Sequence, residues 1–149
     1  MPLSNITSSS QPPGDDSGLL PARRSALQRP SSRFERDHLA TAPIAFLHAW
    51  KTAVHLAGNT FFGDGTQASL EGAVATWELP PNLERISEFL NRMPPDTRVF
   101  IAALVSLYDC PDASRLLQRT GVSGLAELGA LDLQRRSVIA SLMLHYTPI

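Results

Sequence analysis

His48 and His55 are the first side chains whose types could act together. They sit seven residues apart in a stretch of helical spacing, so two turns place them on one face about 10.5 Å apart along the axis. A tetrahedral zinc holds its ligands about 2 Å away. The pair therefore cannot share one metal, and Thr52 between them is not a usual ligand; both read as surface histidines. His38 and His145 have no partner visible in the sequence. Cys110 is the only cysteine. It sits near an expected helix start, which favours a thiolate, but Asp109 and Asp112 oppose one and no histidine is near in sequence. It reads as a structural thiol.

The loop after the first expected helix invites a calcium reading. With Glu71 as the last residue of a 12-residue EF-hand loop, Asp64 and Gly65 take the fifth and sixth positions that the motif wants. Thr60 and Phe62 then fall at the first and third, and Phe62 offers no side-chain oxygen. The site is rejected, and Gly63-Asp64-Gly65 reads as a turn. No metal, cofactor or catalytic set follows from the sequence, and the chain is expected not to be an enzyme.

Leu116 to Ser123 resembles the turn of a helix-turn-helix, with Gly121-Val122-Ser123 supplying the glycine, the apolar residue and the small polar one. The match departs from the pattern at Leu117, where a small residue is wanted, and at Glu127, where an apolar one is. Gly124 and Gly129 weaken a recognition helix. DNA binding requires Arg115, Arg119, Arg135 and Arg136 to form one positive stripe, and it stands as the alternative function.

The elements that must position these residues are helical. Thr41-Ala42-Pro43 reads as a cap with Pro in the first turn of a helix over 43–57, with Phe46, Trp50, Ala53, Val54 and Ala57 inward. A second helix is expected over 67–77 with Leu70, Ala73, Val74 and Trp77 on one face, against a competing short strand at 73–77. Asn82 caps a third over 83–93. Asp96 caps the next, in which Val99 to Leu107 is apolar nearly all round and so is buried on all sides. A helix closed by Gly121, a short helical turn from Ser123 to Leu128, and a final helix from Asp132 to about Tyr146 complete the set. Leu133, Ile139, Leu142, Met143 and Tyr146 are its expected inward face. The fold class is all-α: a compact bundle of six or seven short helices around a central apolar helix, over residues 41–149.

Residues 1–40 have a different composition. They hold five prolines and a Ser8-Ser9-Ser10 run, and their few large apolar residues follow no period. A disordered N-terminal tail is expected there. The tail carries +1 and the remainder −2, within a total of −1 over 149 residues. That balance speaks against nucleic acid or a membrane surface as the main partner. The N-terminal residues lack a signal peptide's basic and apolar regions, and the single thiol suits a reducing, cytoplasmic setting. Lys51 is the only lysine among 13 basic residues, a preference for Arg that points to a GC-rich bacterial genome.

The stretches Gly58 to Trp77 and Gly124 to Pro148 resemble small helical proteins of uncharacterised activity encoded beside integrative and conjugative elements of bacteria. The resemblance implies an accessory role in element maintenance, transfer or host interference, and no residue roles. The favoured function is a non-enzymatic helical module that binds a protein partner or itself. Phe61 and Phe62, with the apolar residues of 142–149, are its expected partner surface.

Overall fold

The computed structural model describes residues 32–108 and 112–146. Ser32 starts the first helix, α1 (Arg33–Ala57), through a reciprocal cap. Its hydroxyl accepts from the Glu35 amide at 3.2 Å, and the Glu35 carboxylate accepts from the Ser32 amide at 3.1 Å. This moves the domain boundary from 41 back to 33. The expected cap at Thr41 is not one: its hydroxyl bonds back to the His38 carbonyl at 3.1 Å, and Pro43 lies inside the helix.

A proline there removes one backbone bond, and tertiary contacts hold the helix through it. Ala42 is fully buried, His38 Nε2 donates to the Leu144 carbonyl at 2.8 Å, and the His38 and His145 rings stack at 5.2 Å. The two histidines without sequence partners are therefore each other's. The part of the expected tail before Ser32 lies outside the described residues.

Five further α-helices follow: α2 (Gln67–Gly72), α3 (Leu83–Phe89), α4 (Pro95–Leu107), α5 (Ala113–Thr120) and α6 (Leu133–Leu144). Short 3₁₀ turns link them at Asn59–Phe61, Thr76–Glu78, Leu90–Arg92 and Leu125–Ala130. Among the described residues there is no β-strand, only an isolated bridge between Phe62 and Pro81. The fold is all-α, and α4 is its centre. Phe100, Ile101, Ala102, Leu104 and Val105 are buried on it, and α1, α5, α6 and the 125–130 turn all pack against it. Burying its apolar circumference on several sides is the main reason the helices gather there. Pro95 occupies its first turn and Pro94 its N-cap, with no side-chain cap. Asp96, expected as the cap, instead pairs with Arg135 on α6 at 2.9 Å.

α6 has the expected cap, the Asp132 carboxylate accepting from the Arg135 amide at 2.9 Å. Ile139 and Leu142 are buried as expected, whereas Leu133, Met143, Leu144 and Tyr146 are exposed.

Candidate functional site

Trp50 and Phe62 anchor the region between α1 and the 58–82 segment. The Trp50 indole N–H donates to the Leu79 carbonyl at 3.1 Å, and its ring meets Phe62 edge-on at 5.8 Å. Phe62 is only 1% exposed, and Phe61 is half-buried against Phe89. The expected partner surface at Phe61 and Phe62 is therefore part of the core. Backbone pairing seals it there: the Gly63 amide donates to the Pro80 carbonyl and the Asn82 amide to the Phe61 carbonyl, each at 2.8 Å. A positive φ of 56° at Gly63 lets the chain turn into this pairing.

The exposed apolar surface lies at the other end of the same segment. The helix expected over 67–77 stops at Gly72. Beyond it, the wall over residues 73–77 runs extended and then turns. Two side chains satisfy the backbone in place of helical bonds. Lys51 Nζ donates to the Glu71 and Ala73 carbonyls at 2.7 and 3.0 Å, a cation on a helix C-terminus. The Glu78 carboxylate accepts from the Val74 and Ala75 amides at 2.6 and 3.2 Å.

In a continued helix Val74 and Trp77 would share a face with Leu70 and Ala73. In the broken one Leu70 and Ala73 are buried while Val74 is 79% and Trp77 75% exposed. The wall is not a strand either: among the described residues no strand pairs with it, and its Ala75 and Thr76 carbonyls accept from the Glu78 and Leu79 amides in a 3₁₀ turn.

Across from the wall, α1 presents Pro43, Ile44, Phe46 and Leu47. Ile44 is 77% exposed. Leu107 and Tyr108 at the end of α4, together with Tyr146, complete a groove of about 790 Å³. Its floor is aromatic and continuous with the core. Phe46 lies 6.2 Å from the Trp50 ring, Tyr108 5.5 Å from the same ring, and Tyr146 meets Phe46 edge-on at 5.9 Å. The volume is typical of sites that take a drug-sized ligand or a short peptide segment. Its described lining is apolar and aromatic, with Thr76, Tyr108 and Tyr146 supplying the side-chain hydroxyls.

The other sequence candidates are dispersed. Arg135 is held by Asp96 and Asp132 at 2.9 and 2.7 Å and lies over the Phe100 ring. Arg115 pairs with Asp112 at 3.5 Å, and Arg119 donates to the Ser87 carbonyl at 3.3 Å. Arg136 is exposed. Two of the four arginines are thus neutralised by carboxylates. Gly121 turns left-handed at φ 75° as a helix-turn-helix glycine would, but the following element is the 3₁₀ turn Leu125–Ala130 and not a recognition α-helix. Within it the Glu127 carboxylate accepts from the amide and hydroxyl of Ser123, which hold it below the ordinary carboxylate range.

Asp64 accepts from the Thr66 amide and hydroxyl, both at 2.8 Å, and so builds the turn that its position suggested. His48 and His55 are exposed on α1. Cys110 lies outside the described residues, as do 147–149 of the expected C-terminal patch. Among the described residues no three His, Cys, Asp or Glu side chains converge as a metal site, and no helix is long and apolar enough to cross a membrane.

Sequence reasoning missed the groove because it placed Val74 and Trp77 inward. The usable signal was Gly72 followed by the β-branched Val74 and Thr76 ahead of Pro80-Pro81, a poor continuation for a helix. No family model, no curated protein and no solved structure matches the chain.

Proposed function

We propose that this domain is a non-enzymatic interaction module that holds an apolar segment of a protein chain in the groove between α1 and the 73–77 wall. The observation that carries this reading is the exposure of Ile44, Val74 and Trp77 around one aromatic-floored groove. Large apolar side chains scattered singly on a surface need no explanation, but three lining one concavity mark a binding surface. The wall is also preorganised: Lys51 and Glu78 bond its backbone in the described state, so little ordering remains for a partner to impose. Tryptophan and tyrosine are favoured anchors of such contacts. The bacterial mobile-element setting rests on the sequence resemblance, and within it the docked segment would belong to an element or host protein.

The test is photo-crosslinking in cells with p-benzoylphenylalanine in place of Trp77, against the same probe at exposed Arg136. Adducts to another protein are expected at position 77, absent at 136, and lost with Ile44→Asp. Equal adducts at both positions would remove the reading.

A further inference from the structure

The groove lies close to where the N-terminal chain leaves the domain, which raises the question of what covers it when no partner is present. We propose that residues 19–27 of the same chain occupy the groove at rest, with Leu19, Leu20 and Leu27 against Ile44, Val74 and Trp77, and that a partner must displace them. This rests on the groove being a docking site, and it adds how that site is regulated.

Reach supports it. Arg33 begins α1, and Ile44 lies eleven residues further on, about 16 Å along the helix. Leu27 is six residues before Arg33, and six residues span at most about 20 Å. Leu19 and Leu20 reach well past the groove, so the three leucines bracket it without strain in the connection.

Chemistry supports it too. Residues 17–31 contain Arg23, Arg24 and Arg29 and no acidic residue. Glu71 and Glu78 are exposed at the wall, and Lys51, the cation beside them, is turned onto the Glu71 and Ala73 carbonyls. Arginine-flanked leucines thus meet an apolar groove whose edge carries Glu71 and Glu78 against one cation, Lys51. A tethered segment also has an effective concentration in the millimolar range, which a separate molecule seldom reaches.

The test uses the purified full chain with Trp77→p-benzoylphenylalanine, prepared as a mixture of isotopically light and heavy copies and read by mass spectrometry. An adduct within one copy between position 77 and residues 17–31 is expected. It should fall about tenfold or more in Leu19→Asp/Leu20→Asp/Leu27→Asp, because three apolar anchors are lost together. It should also weaken as salt screens the arginines. The same triple substitution should raise the yield of partner adducts in cells. An adduct between copies, to residues 147–149, or none at all in the purified chain overturns the resting occupancy. If partner adducts at position 77 persist in cells despite that result, the docking reading stands alone; if they are absent too, both fail.

Discussion

Trp50 on α1 and Trp77 in the segment that packs against it have opposite environments. Trp50 is fully buried, bonded through its indole to Leu79 and packed on Phe62 and Tyr108. Trp77 stands two residues before Leu79 and is 75% exposed. The difference separates a closed half of the region from an open one. On the Trp50 side Trp50 and Phe62 are buried and the indole N–H is bonded, as a core requires. The Trp77 side also satisfies its backbone, through Lys51 and Glu78, yet leaves its apolar side chains open. A surface with fixed backbone and uncovered large side chains is suited to binding and contributes little to folding.

Substitutions can break that comparison. Trp50→Ala should lower unfolding free energy by about 3–5 kcal/mol, while Trp77→Ala should stay within about 0.5 kcal/mol. Urea denaturation followed by circular dichroism reads both, and equal losses would mean that Trp77 is core after all. Gly63→Ala should rank next. Its φ is positive, and an added Cβ would lie 3.1 Å from the Glu78 carbonyl and 3.3 Å from Leu79 Cδ2, so a loss of about 2 kcal/mol is expected. Gly121→Ala, with open space around its Cβ, should lose about half as much; the order of the two melting temperatures checks this.

Lys51→Met keeps the stem and removes the bonds to the wall. It should lower stability by about 1 kcal/mol and change the acrylamide quenching of Trp77, measured against a Trp77→Phe background. Unchanged quenching would show that Lys51 does not hold the wall.

The smallest effect is on pH dependence. Asp132 is held below its ordinary value of 3.8, chiefly by the Arg135 amide, and Asp64 likewise by the Thr66 amide and hydroxyl. A depressed carboxylate stabilises the fold above its unfolded value and loses that contribution as pH falls through its folded one. Stability should therefore decline below about pH 4, and Asp132→Asn should flatten the decline. An unaltered acid slope in that variant would count against the cap.

The legible parts of the fold were those with local causes. The Asp132 and Asn82 caps, the Gly121 stop and the all-round apolarity of Val99–Leu107 each act within a few residues, and each was readable. The start of α1 was readable in principle, since Ser32 and Glu35 form a capping box. It was obscured by Pro43 and by the sparse apolar pattern of 33–40. What holds that stretch is contact with the end of α6, His38 bonding the Leu144 carbonyl and stacking on His145, residues more than a hundred positions apart. Of the groove, only its apolar and aromatic composition was legible. Its residues were misplaced, because periodicity assigns a face only while the helix continues.

The amino-acid order by itself determined that the chain is helical, where most helices stop, and that α4 must be central, because propensity, capping and apolar period are local properties. The tertiary structure alone decided which aromatics are covered. Lys51 comes from one helix to end another, and the pairing of 61–63 with 80–82 draws Phe62 inward. These contacts between distant segments bury Phe62 and leave Trp77 at the groove.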